Sequence, residues 1–136
     1  MSKSFKTVLV VDDDPGVIKL LEKWLHVDGY KIIGALSGKA GIERAHDDPP
    51  PDCILLDLMI PDINGADVAR ALQKDPAVKD IPIIFITVTM GVENDKGDEE
   101  IDIDGVKYRI FAKPLHNRKL LSTIRKSINK RANKNV

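Results

Sequence analysis

The chain has 136 residues, 43% of them apolar, and its 21 Lys or Arg balance 21 Asp or Glu, for a formal net charge of zero. That length suits one domain with a single sizeable core, taken to run from residue 1 to 136. The apolar content excludes disorder, and the charge balance excludes a global field that would draw the chain to nucleic acid or membrane. The charges are nevertheless segregated: seven acids and one lysine lie between Glu93 and Asp104, and ten Lys or Arg with no acid lie between Gly105 and Val136. Cys53 is the only cysteine, so an internal disulfide is impossible, and its apolar surroundings point to inert packing. No apolar run approaches the roughly 20 residues of a membrane span. The run Val8–Val11 is too short for a signal peptide, and a cytoplasmic protein is expected.

Thr7 to Val11 is β-branched and continuously apolar, the pattern of a strand covered on both faces. Asp12-Asp13-Asp14-Pro15 closes it, with Asp14 placed to cap a helix that starts at Pro15. Val17, Ile18, Leu21, Trp24 and Leu25 form one helical stripe, ended by Gly29. Tyr30 to Leu36 reads as a second strand, and Ser37 caps a short helix through about Ala45. After the stiff Asp47-Asp48-Pro49-Pro50-Pro51 linker, the apolar run Cys53–Leu56 ends abruptly in Asp57, with turn signals at Pro61 and Asn64-Gly65. Val68, Ala69 and Leu72 make a third helical stripe, stopped by Pro76. Ile81 to Val88 is a buried strand, Lys107 to Ala112 the last strand, and Leu120, Leu121, Ile124 and Ile128 mark a final helix whose tail from Asn129 is expected to fray. Between the last two strands, Gly91–Gly105 carries only Val92, Ile101 and Ile103 as apolar residues, and neither helical nor strand spacing organises them. The fourth helix expected there is atypical: short, displaced or mobile.

Repeated strand–helix alternation predicts an α/β fold with a doubly wound, five-stranded parallel sheet of order 2-1-3-4-5. In such sheets ligands bind beyond the C-terminal strand ends, where the strand order reverses. The reactive residues sit at those ends: Asp12 and Asp13, Asp57, Thr87 and Thr89, and Lys113. A buried acid such as Asp57 costs free energy unless something compensates it. Converging carboxylates repel and so recruit a cation, and an all-oxygen donor set favours Mg²⁺ over zinc. Phosphoryl transfer needs such neutralisation together with donors for the equatorial oxygens, which Thr87 and Lys113 can supply. A carboxylate can itself accept the group, giving an acyl phosphate. His26, His46 and His116 have no metal-ligand spacing.

The runs Val10-Val11-Asp12-Asp13-Asp14-Pro15, Leu55 to Gly65, Ile83 to Thr87 and Lys113-Pro114 resemble the receiver domain of bacterial two-component response regulators over nearly the whole chain. The resemblance implies that Asp57 takes a phosphoryl group from a histidine kinase or histidine phosphotransfer protein and thereby alters binding to a downstream protein. It implies Mg²⁺ on Asp13, Asp57 and the Met59 carbonyl, with Asp12 acting through water. It also implies a Thr87 bond to the phosphoryl group, a Lys113 ion pair, a cis bond before Pro114, and phosphorylation-dependent dimerisation. The protein would be a phosphoprotein of signal transduction that catalyses only its own phosphoryl transfer and dephosphorylation, and a receiver that stands alone without an output domain.

Ile110 departs from the family pattern, which has Tyr or Phe as a switch residue there; Tyr108 shares its strand face and Phe111 points the other way. One alternative is a degenerate receiver that binds partners without phosphorylation. Another is a haloacid-dehalogenase-type phosphatase, which Asp12-Asp13-Asp14 and Gly97-Asp98 with Asp102 resemble, although those last acids precede Lys113 instead of following it. The basic final helix reads as a solvated face first and as a docking surface for an acidic partner second, while nucleic acid is disfavoured for want of interleaved aromatics. The acidic Gly91–Gly105 segment is expected to pair with that basic stretch.

Overall fold

A computed structural model describes residues 5–87, 99–112 and 117–134. Strands β1 (Lys6–Val11), β2 (Tyr30–Ala35), β3 (Cys53–Asp57) and β4 (Ile83–Thr87) alternate with helices α1 (Pro15–His26), α2 (Gly38–Ala45) and α3 (Gly65–Gln73). Then come strands β5 (Glu100–Ile103) and β6 (Val106–Ala112) and helix α4 (Asn117–Lys134). The sheet order is β2-β1-β3-β4-β6-β5, parallel throughout except for β5. The doubly wound core expected from the sequence is therefore present, with one strand added at its edge. The backbone of α4 stays helical to Lys134, beyond the point where the Asn129 tail was expected to fray.

Helices α1, α2 and α3 each begin where a side chain can take an orphan backbone N–H. Asp14 accepts from Gly16 at 2.8 Å, Ser37 from Ala40 at 3.1 Å and Asn64 from Ala66 at 2.8 Å. Strand alternation then sorts the core into two layers. Leu9, Val11, Ile54, Leu56 and Phe85 pack towards α2 and α3 with Val68, Ala69 and Leu72. Val8, Val10, Leu55, Ile84, Ile86 and Phe111 pack towards α1 and α4 with Leu21, Leu25, Leu120 and Ile124. Cys53 belongs to the second layer, and burial pushes its thiol up to about 12, which keeps it unreactive.

The added strand corrects the reading of the acidic segment. Glu100–Ile103 forms an antiparallel hairpin with β6, and Ile101 and Ile103 turn to one face while Glu100 and Asp102 turn to the other. Its turn is Asp104-Gly105, with φ of +55° and +88°, the left-handed pair that a two-residue hairpin requires. Asp102 accepts from the Gly105 N–H at 2.9 Å. The cross-strand register sets Glu100 opposite Arg109 and Asp102 opposite Lys107, on β6 and not on the basic final helix that the acidic segment was expected to meet. Asp104 instead meets Arg70 of α3 at 2.9 Å, and Arg70 also holds Asp67 at 2.6 Å. The hairpin tip is thereby tied to α3.

His46, at the end of α2, donates through Nδ1 to the Ile42 carbonyl at 2.8 Å and through Nε2 to the Asp75 carboxylate at 2.6 Å. The Asp75 carboxylate raises the imidazole above its usual range, and the same bond lowers Asp75. A raised folded value means that this bridge contributes fully below the unfolded histidine value of 6.5 and is lost as pH climbs through the higher folded one. In urea unfolding, His46→Gln should therefore lose stability relative to wild type near pH ~5.5 and little near pH ~9. An equal difference at both would contradict the assignment.

Candidate functional site

The connection from β1 leads to β2 on one side, and β3 lies on the other, so the strand order reverses between β1 and β3. At that reversal β1 runs directly into Asp12, β3 ends in Asp57, and the adjacent β4 ends in Thr87. Carboxylate oxygens of Asp12, Asp13 and Asp57 lie within 4.8 Å of one another; Asp12 and Asp57 are buried and Asp13 is exposed. Asp12 Oδ1 also accepts from the Asp14 N–H at 2.9 Å, so the turn that caps α1 orients the acid beside it. Asp14 itself is spent on the helix cap.

Asp57 Oδ1 accepts from the Met59 N–H at 3.0 Å, which curls the following loop around the carboxylate. That loop is held from two sides. Leu58 N–H donates to the Ile86 carbonyl at 2.9 Å, extending the β3–β4 ladder by one residue. Asp62 accepts from Gly38 at 2.8 Å and Lys39 at 3.1 Å, and these N–H groups at the start of α2 hold its carboxyl below the usual range. Gly65 N–H closes the loop on the Leu58 carbonyl at 3.0 Å. A Cβ on Gly65 would collide with the Asp57 carbonyl oxygen and stand 2.8 Å from Leu58 Cα, both of them backbone atoms. Only glycine allows α3 to start this close to the acid.

Thr87 is 1% exposed, and its Oγ1 is buried with no hydrogen-bond partner among the described residues. Desolvating a hydroxyl without a partner costs roughly 1–3 kcal/mol, so a ligand oxygen at this point would be stabilised. Of the sequence-predicted site residues, the structure brings together Asp12, Asp13 and Asp57, with Thr87 on the neighbouring strand end and Met59 in the loop. Lys113, Pro114 and Thr89 lie outside the described residues. Ile110 is buried opposite Phe85 in the β4–β6 register. Tyr108, on the same face, packs edge-on to Phe85 with ring centroids 5.3 Å apart, while Phe111 joins the other layer. Asp102, considered as a phosphatase acid, is used in the hairpin turn. Sequence reasoning missed Asp62, whose signal was an acid just before Asn64-Gly65, and the hairpin tie between Arg70 and Asp104.

Fold and site together define a doubly wound α/β protein with an acidic, cation-competent crevice at its topological switch point. The model of the response regulator receiver domain matches residues 8–125. The chain is 33% identical over 118 residues to the response regulator PleD of Caulobacter vibrioides, covering 87% of this chain and 25% of PleD. It is 30% identical over 120 residues to the polar-differentiation response regulator DivK of Brucella ovis, covering 88% of this chain and 94% of DivK. The chain thus spans a quarter of one relative and nearly all of the other. The CheY-like receiver domain protein of Methanospirillum hungatei superposes with a TM-score of 0.78 at 20% identity, over 96% of this chain and 99% of that one.

This chain belongs to the response regulator receiver domain family, the receiver component of two-component signalling systems. The family assignment removes the haloacid-dehalogenase reading. No helix among the described residues is long and apolar enough to cross a membrane.

Gly65→Ala should displace the Asp57 loop or the start of α3 and cost about 1–3 kcal/mol in urea unfolding, as overpacking does. It should also weaken divalent-cation binding to the acidic cluster. Unchanged stability and cation affinity would show that the loop accommodates a methyl group.

Proposed function

We propose that Asp57 is a phosphoacceptor, charged by a phosphohistidine on a histidine kinase or histidine phosphotransfer protein. The observation that carries this reading is the convergence of Asp12, Asp13 and Asp57 beside the buried Thr87 hydroxyl. An Asp57 carboxylate oxygen attacks phosphorus, the phosphorus–nitrogen bond to the donor imidazole breaks, and the imidazole leaves with the electron pair. An acyl phosphate on Asp57 results. Thr87 donates its hydroxyl to a phosphoryl oxygen, and Lys113 pairs with another as a point charge.

The donor set fits a hard divalent ion: carboxylates of Asp13 and Asp57 and the backbone carbonyl of Met59 would hold Mg²⁺, with Asp12 reaching it through water. When bound, Mg²⁺ supplies neutralisation of the carboxylates and of the developing phosphoryl charge. The same residues position water for hydrolysis of the acyl phosphate, so the chain catalyses its own transfer and dephosphorylation and no turnover of an external phosphomonoester. Phosphorylation then alters binding to a downstream protein.

A second reading, a docking module that works without phosphorylation, is favoured by two observations. The switch position holds Ile110, a buried aliphatic residue with no ring or hydroxyl to reposition, and the hairpin β5–β6 stands where the usual fourth helix was expected. Under that reading partner binding is unchanged in Asp57→Asn.

Incubation with Mg²⁺ and acetyl phosphate followed by intact-mass spectrometry separates the two. Wild type should gain one phosphoryl group and Asp57→Asn none. Thr87→Ala should be labelled more slowly, by about tenfold or more, since one donor to the transferring group is lost. Labelling of Asp57→Asn at the wild-type rate would place the acceptor elsewhere. A wild type that stays unlabelled with acetyl phosphate and with a phosphohistidine donor alike would favour the docking module.

A further inference from the structure

Far from Asp57, an open groove of about 970 Å³ runs between α4 and the β5–β6 hairpin, floored by the starts of β4 and β6. Because β4 and β6 are parallel and carry Thr87 and Ala112 at their ends, this groove lies at the opposite edge of the sheet from the acidic crevice. Its walls are basic. Lys119, Lys126 and Lys130 stand on one face of α4 at i, i+7 and i+11, with Arg131 beside them and Lys107 and Arg109 across the groove on β6. Lys79 adds a seventh cation, against Asp80 and Glu100 as the acids among the described lining residues. Glu100 stands opposite Arg109 in the hairpin register. Arg131 Nε is buried without a hydrogen-bond partner among the described residues.

We propose that this groove docks an acidic polypeptide segment of a partner protein. A chain of zero net charge has concentrated positive charge along one groove, and that asymmetry is local enough to select a partner by charge complementarity. The lysine stripe on α4 spans about 16 Å. A compact anion could reach only one or two of those ammonium groups, whereas successive carboxylates on an extended or helical segment reach them all. Ser122, Thr123 and Ser127 lie along the same wall; the Thr123 hydroxyl is committed to the Lys119 carbonyl at 3.0 Å, which leaves Ser122 and Ser127 as the neutral contacts beside the lysines. The only aromatic residue at the groove is Tyr108, whose ring is engaged edge-on with Phe85 in the core. Bases would therefore find no stacking platform, and single-stranded nucleic acid fits less well than protein. The inference is independent of the chemistry at Asp57.

The test is fluorescence anisotropy with three labelled probes of equal length: a Glu-rich peptide, a Gly/Ser/Gln peptide and a single-stranded oligonucleotide. The full chain is compared with K119E/K126E/K130E and with a control, K19E/K23E/K31E, which makes the same change of net charge on other exposed lysines. The expected result is binding of the Glu-rich peptide to wild type, at least tenfold weaker in the groove variant and within twofold in the control, with a steep salt dependence. Circular dichroism of both variants checks that the exposed substitutions leave the fold intact. Equal affinity for the acidic and neutral peptides, or equal weakening in the groove variant and the control, would overturn the proposal. Tighter binding of the oligonucleotide than of the acidic peptide would reassign the groove to nucleic acid.

Discussion

Three carboxylates forced to within 4.8 Å of each other govern the C-terminal edge of this sheet. Repulsion between two such charges is on the order of 3 kcal/mol at an effective dielectric of about 20, less where solvent reaches exposed Asp13. The carboxylates are held this close because β1 and β3 are neighbours in register, Val11 beside Leu56, and each strand is buried along its whole apolar length. The hydrophobic layers on both faces of the sheet thus supply the free energy that keeps the acids together.

The loop after Asp57 converts this arrangement into a directed one. Met59 N–H fixes one carboxylate oxygen, Asp62 ties the loop to the start of α2, and Gly65 lets α3 begin against the Asp57 backbone. Each contact uses a different physical device: a short-range hydrogen bond, a carboxylate at a helix N-terminus, and the absence of a side chain. The buried Thr87 hydroxyl stands on the next strand end, reached through the β3–β4 register that sets Asp57 beside Ile86.

Much of this was legible in the sequence because it is local or periodic. The caps at Asp14, Ser37 and Asn64 are single residues in recognisable contexts, and apolar runs ending in Asp12 and Asp57 announce buried strands with ionisable tips. The parallel, doubly wound sheet followed from the repeated strand–helix alternation. The β5–β6 hairpin was missed although Glu100-Ile101-Asp102-Ile103 alternates and Asp104-Gly105 is a turn signal. The density of acids hid a four-residue strand, and the expected helix in a strand–helix alternation outweighed it. The ties from Arg70 to Asp104 and from Asp62 to α2 join residues far apart in sequence, and no spacing rule reveals such pairs. The β4–β6 register brings Tyr108 against Phe85, two residues before Thr87.

The most direct measurement is fluorine NMR of beryllofluoride added to the protein with Mg²⁺, since this anion occupies the place of a phosphoryl group on a carboxylate. The account predicts a bound signal in slow exchange for the wild type, dependent on Mg²⁺, and none for Asp57→Asn. No bound signal in the wild type, or one that persists unchanged in Asp57→Asn, would contradict the claim that Asp57 and its neighbouring acids form a phosphoryl-accepting site.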